Sequence, residues 1–152
     1  MTTDALLNAL TAETAAIGTF STLLGEEQQA LVNGTLDALP DLTERKTRAV
    51  AELSALGRER DAQLKALGYS PDEAGATAAA AADPKVDAAW KALLAAAAEA
   101  KRANDTNGLL INTRLTYTQQ ALNVLYGPGN NTPLYGPDGR TTPRSSGGSV
   151  TA

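Results

Sequence analysis

Leu6, Leu10, Ile17, Phe20, Leu24 and Leu31 recur at steps of three, four and seven residues, and Glu13 and Glu27 fall in the same register. Such spacing draws one narrow apolar stripe along a helix and approaches the seven-residue repeat of packed helical seams. It predicts a helix from about Thr3 to Val32, closed at Asn33-Gly34, because glycine takes the left-handed C-terminal cap at least cost. A second stripe, Leu42, Ala49, Leu53, Leu56, Leu64 and Leu67, is interrupted in register by Lys46 and Arg60. Pro40 suits its first position, where a missing N–H goes unnoticed, and Asp41 and Glu44 favour its N-terminal dipole. Gly68 ends it. The link from Asn33 to Leu39 is short enough to force an antiparallel hairpin.

Ser70-Pro71-Asp72-Glu73 reads as a capping box, with Ser70 as N-cap, Pro71 at the first and Glu73 at the third helical position. The Ala-rich stretch to about Ala82 is weakened by Gly75 and offers little to bury, which predicts a mobile connector. Asp83-Pro84 then starts a third helix reaching about Tyr126, some 43 residues and ~64 Å if unbroken. Val86, Trp90, Leu94, Ala97, Ile111, Leu115, Leu122 and Leu125 mark its expected buried side, and Asn104, Asn107 and Gly108 interrupt it midway. Hairpin partners of ~45 Å cannot cover such a helix, so its C-terminal half should project or call for another surface.

Composition narrows the fold to all-α: an antiparallel helical hairpin packed with a third long helix, as an up-down bundle or coiled coil. Aromatics are only 4% of the 152 residues, and the 43% apolar share is rich in Ala and Leu. Those are helix formers, whereas a sheet would want β-branched and aromatic residues. Two parts are expected, a helical domain over residues 1–126 and a flexible tail over 127–152. The tail holds Pro128, Pro133, Pro137 and Pro143 among Gly, Asn, Ser and Thr, a composition too poor in apolar groups to offset ordering entropy. Tyr126, Leu134 and Tyr135 are its few anchors, and Leu-Tyr-Gly-Pro occurs twice, at Leu125–Pro128 and Leu134–Pro137.

The net charge of −4 and the lack of a dense basic stripe argue against nucleic acid as a partner. Charge is unevenly spread: seven acids and no Lys or Arg precede Arg45, and six basic residues follow between Arg45 and Tyr69. Complementarity between two antiparallel helices is the simplest reading, and Arg45-Lys46-Arg48 fits a solvated helix face better than an anion site. There is no Cys and no His, which removes thiolate metal sites, thiol nucleophiles and imidazole chemistry. Glu26-Glu27 and Asp72-Glu73 are sequence neighbours and do not share a helix face. No enzyme activity, metal or cofactor is expected. The N-terminus lacks a signal peptide pattern and no apolar run approaches a membrane span, so stable membrane insertion is not expected and the cytoplasm is the default location.

The Leu-rich, acid-bearing first helix and the Lys46, Leu53, Leu56, Arg60, Leu64, Gly68 track resemble the FlgN family of flagellar type III export chaperones. So do Asn104, Asn107, Leu110-Ile111, Ala121-Leu122 and Leu125 in the third helix, followed by Tyr135-Gly136-Pro137-Asp138-Gly139. The asparagine pair and the Tyr-Gly-Pro-Asp-Gly motif are the more specific parts, and the likeness runs from about Asp4 to Arg140. It implies a cytoplasmic chaperone that binds the C-terminal helices of the two hook–filament junction proteins, hook-associated proteins 1 and 3. Such a chaperone keeps these clients unassembled and delivers them to the export gate protein. By the family pattern the client surface falls on Asn107, Ile111, Arg114, Leu115, Thr118, Leu122 and Leu125, and the export-gate contact on Tyr126 or Tyr135. The free protein is expected to be a monomer or homodimer. The competing readings are a self-associating coiled-coil structural or regulatory protein and a ligand-binding four-helix bundle.

Overall fold

A computed structural model describes residues 2–126; the expected tail, with Tyr135 and the second Leu-Tyr-Gly-Pro, lies outside the described residues. The described chain is helical, without a strand: α1 Asp4–Asn33, a 3-10 turn Leu36–Ala38, α2 Leu39–Ala66, α3 Glu73–Ala82 and α4 Pro84–Tyr126. The chain divides into two compact units, residues 1–104 and a second beginning at Asp105. The first unit holds the hairpin, α3 and the first part of α4.

α1 and α2 form the predicted antiparallel hairpin. Gly34 adopts φ 72°, and the N–H groups of Gly34 and Thr35 both donate to the Ala30 carbonyl, closing the helix end with a left-handed glycine cap. α2 begins at Leu39 rather than Pro40, because the 3-10 turn runs straight into it and Ala38 takes the N-cap place without a side-chain bond. At its other end Gly68, at φ 87°, reverses the chain, and Tyr69 N–H donates to Leu64 O at 2.9 Å.

The core joins Leu6, Leu10, Ile17 and Leu24 of α1, Leu64 of α2, Ala76, Ala79 and Ala80 of α3, and Val86, Trp90, Leu93 and Ala100 of α4. A smaller cluster, Leu23, Ala30 and Leu42, sits near the hairpin turn with Leu39 and Ala49 beside it. The buried line of α4 therefore passes through Leu93, and Leu94 and Ala97, expected inside, are exposed. Adjacent residues differ by about 100° around a helix, so a one-residue shift of register exchanges one Leu for the other.

Two expectations about α3 are corrected. It is a packed helix and not a mobile connector, since Ala side chains let its backbone approach the core closely and three of them are buried there. Its N-cap is Asp72 and not Ser70: Asp72 Oδ1 accepts from Gly75 N–H at 2.9 Å, and Ser70 Oγ donates to Asp72 Oδ2 at 2.6 Å. The Ser70 carbonyl lies over Gly75, where a Cβ would sit 1.7 Å from its oxygen. The turn is thus too tight for any residue but glycine, and it puts the carboxylate where the first free N–H groups point. These bonds hold the Asp72 carboxyl below its ordinary pKa, the Ser70 hydroxyl contributing most.

Asp83 caps α4 as its sequence suggested. Its Oδ1 accepts from Lys85 N–H at 2.9 Å, and its Oδ2 accepts from Thr3 Oγ1 at 2.8 Å, which ties the start of α1 to the start of α4. α4 then runs as one α-helix through Asn104, Asn107 and Gly108 to Tyr126. Local propensity penalties of roughly 1 kcal/mol for a helical glycine do not break it.

Candidate functional site

Charged residues fall into two groups, those that hold the hairpin and those left on its surface. Arg60 Nη1 meets Glu13 Oε1 at 2.7 Å, Lys46 Nζ meets Glu27 Oε1 at 3.0 Å, and Arg45 Nη1 meets Glu26 Oε2 at 2.9 Å. The predicted charge complementarity between α1 and α2 is present, and two of these three pairs, Arg60–Glu13 and Lys46–Glu27, are made by the residues that interrupt the apolar registers. Burial pushes the Glu13 carboxyl above its ordinary pKa, against the pull of Arg60. Arg45 and Lys46 are committed to the hairpin, and Arg48 pairs along its own helix with Glu44 at 3.6 Å.

No group of three or more metal-ligating side chains is assembled among the described residues. Open clefts lie on the first unit. One, of about 280 Å³, is walled by Ile17, Phe20, Leu53, Ala97 and Ala100, with Glu13, Lys101 and Asn104 at its border. A ligand pocket usually encloses most of its ligand among a few converging polar groups, and this shallow apolar dent does not have that form. Among the described residues no helix is long and apolar enough to cross a membrane.

The second unit has a different surface. From residue 106 to 126, Arg114 is the only charged residue. Ile111, Leu115, Thr118, Leu122 and Leu125 alternate steps of four and three and fall on one side of α4, the periodicity of a heptad seam. Asn107 and Arg114 flank that line. Ile111, Arg114 and Leu115 are half-buried, Thr118 is exposed, and Leu122 and Leu125 are 40% and 75% exposed. Asn107 differs: it is only 2% exposed and engaged within the chain. An enclosed amide leaves little for a partner, so the accessible stripe begins at Ile111. Tyr126 ends α4, and the placement of its side chain is outside the described residues.

Leu109, Tyr117 and Val124 are also exposed, and the sequence reading passed over them. Their signal was present: Tyr117 and Val124 stand one residue before Thr118 and Leu125 and repeat the same heptad. Reading a single stripe hid them.

The described residues define an all-α protein whose candidate site is a helix surface. Comparison with known sequences gives the family. Residues 1–143 match the family described as FlgN protein, and the chain belongs to it. The chain is similar to the flagella synthesis protein FlgN of Salmonella typhimurium, 28% identical over 137 residues that cover 89% of each chain. It is as similar to the flagella synthesis protein FlgN of Proteus mirabilis, 28% identical over 140 residues and 90% of each chain. No solved structure matches.

Proposed function

We propose that this protein serves flagella synthesis as an export chaperone. It binds the C-terminal helical regions of the hook–filament junction proteins, hook-associated proteins 1 and 3, and prevents their premature assembly. It then delivers them to the export gate protein. The relatives in Salmonella and Proteus are named flagella synthesis proteins, which supports the setting. The observation that carries the binding role is the line Ile111, Leu115, Thr118, Leu122 and Leu125 on α4, half-buried at its start and exposed toward its end, with no charged residue in it.

A client helix laid along this line would exchange two wet apolar stripes for one dry seam, which is helix-in-groove recognition read through positions spaced by threes and fours. The same burial explains the chaperoning. The client's apolar assembly surface is occupied and cannot join other client copies. Delivery is assigned to Tyr126 or Tyr135, and the cytoplasm is the place of work.

The test is client self-association followed by light scattering, with and without an equimolar amount of this protein. Suppression of scattering, lost with Ile111→Asp/Leu122→Asp, supports the reading. Undiminished client scattering together with concentration-dependent growth of this protein's own mass favours the self-associating coiled coil.

A further inference from the structure

From Leu110 to Leu125 the apolar part of α4 is wider than one partner helix can cover. With about 100° between successive residues, Ile111, Leu115, Thr118, Leu122 and Leu125 form one seam. Leu110, Arg114, Tyr117, Ala121 and Val124 form a second, one residue earlier throughout and therefore about 100° around the helix. Both seams keep steps of four and three over two heptads. Together they span roughly half the circumference, while Asn112, Thr113, Thr116, Gln119, Gln120 and Asn123 fill the other half. A helix facing one neighbour needs an apolar stripe of about 100°, and a strict coiled-coil seam is narrower still.

The second seam is no less open than the first. Tyr117 is 74% and Val124 86% exposed, Ala121 is exposed, and Leu110 is half-buried. Arg114 stands on the ridge where the two seams meet. Its guanidinium has five donors in a fixed fork, enough to take a carboxylate from a neighbour in addition to the interaction it makes within the chain.

We infer that α4 is built to take two helices of one client chain, one on each seam, with a client carboxylate over Arg114. This rests on the chaperone reading and deepens it. The client surface is a helical pair, and Tyr117 and Val124 are binding residues of the same rank as Leu122 and Leu125. Charge complementarity selects the occupant: the single cation amid an uncharged apolar band asks for a partner with apolar seams and one acid between them.

The experiment titrates the full-length chain with each full-length junction protein, comparing wild type, Tyr117→Lys/Val124→Lys and Arg114→Gln. Circular dichroism and the mass of the free protein are recorded for each. Tyr117 and Val124 are solvent-exposed, so helicity is expected to stay unchanged. The two-seam account predicts at least ~10-fold weaker client binding for Tyr117→Lys/Val124→Lys. It also predicts that the fall of wild-type affinity with added salt is reduced in Arg114→Gln. Unchanged client affinity of the double variant overturns the second seam while leaving the chaperone role standing on the first. A double variant that loses its own dimer mass but keeps client affinity assigns the seam to a second copy, and also overturns the inference. Absence of wild-type binding to both clients removes the chaperone reading and this inference with it.

Discussion

Arg60 Nη1 lies 2.7 Å from Glu13 Oε1 across the α1–α2 hairpin, and the same guanidinium stands 5.9 Å from the centre of the Trp90 ring on α4. One cation therefore connects three helices. Glu27 and Lys46 repeat the pairing two heptads along, at 3.0 Å. In an apolar heptad seam most slips of one repeat are tolerated, whereas a slip here would leave buried carboxylates without their cations. The two pairs fix which turn of α1 meets which turn of α2, as polar residues at seam positions do in coiled coils.

Removing one partner of the first pair should be costly and removing both should not. Arg60→Met leaves Glu13 buried and unpaired and is expected to lower stability by about 3 kcal/mol. Glu13→Leu/Arg60→Met is expected to recover most of that loss, because a buried ion pair often does no better than well-packed apolar groups. Urea denaturation of the two variants checks both outcomes.

Glu13 also sets a pH dependence. One carboxylate oxygen, Oε2, is buried without a partner, and burial raises the group's pKa above 4.5 in spite of Arg60. The folded state thus holds this proton more tightly than the unfolded chain does. The resulting stability is fully present below the unfolded pKa and is lost as pH rises through the higher folded value. Asp72 and Asp83 act in the opposite sense. Their pKa values are lowered from 3.8, chiefly by the Ser70 and Thr3 hydroxyls, so their contribution is lost as pH falls through the folded values. Thermal unfolding of Glu13→Gln should lack the part of the slope above about pH 4.5 and keep the acid loss below it.

That α1 and α2 carry complementary charges was legible in the sequence, Glu13 and Glu27 interrupting one stripe and Arg60 and Lys46 the other, but the register of the hairpin was not, since only the folded pairs Arg60–Glu13 and Lys46–Glu27 fix which turns meet. The continuity of α4 through Asn104, Asn107 and Gly108 was left open by the sequence, while its two ends were legible from Asp83-Pro84 at the start and the Gly127-Pro128 that follows Tyr126. Whether Leu93 or Leu94 faces inward was not, since both are apolar and neighbours in space choose between them. The cap at Asp72 was hidden because Ser70 fits the same rule, and only the close fold of the chain over Gly75 moves the helix start. α3 was undervalued for a related reason: alanine buries little area alone, yet permits the closest approach of backbones. At the candidate site, one heptad seam was read and the adjacent one was not.

Glycine substitutions separate these causes cleanly. Gly75→Ala would ordinarily favour a helix, but here its Cβ would meet the Ser70 carbonyl at 1.7 Å, and a loss of roughly 1–3 kcal/mol is expected. Gly18→Ala and Gly25→Ala meet nothing within 4 Å inside α1 and should each stabilise by roughly 0.5–1 kcal/mol. Equilibrium denaturation of the three variants gives opposite signs if the turn at Ser70 is as close as described.

The Asp72 cap predicts an order among three small changes. Asp72→Ala should lower the melting temperature most, and Ser70→Ala less, because Ser70 only orients the carboxylate through its 2.6 Å bond. Asp72→Asn should fall between wild type and Asp72→Ala, since it retains an acceptor for Gly75 N–H. Thermal melts at neutral pH rank them.

The central claim is that the accessible line of α4 from Ile111 to Leu125 binds the C-terminal helices of the hook–filament junction proteins. Titration calorimetry of the full-length chain with those segments, repeated with Ile111→Asp/Leu122→Asp, tests it most directly. The account predicts binding of about micromolar strength or tighter, −8 kcal/mol or more, with the negative heat-capacity change of apolar burial. It predicts that both are abolished in the folded double variant. Binding that survives the double variant intact would contradict the site, and a folded wild-type chain that binds neither segment would contradict the function.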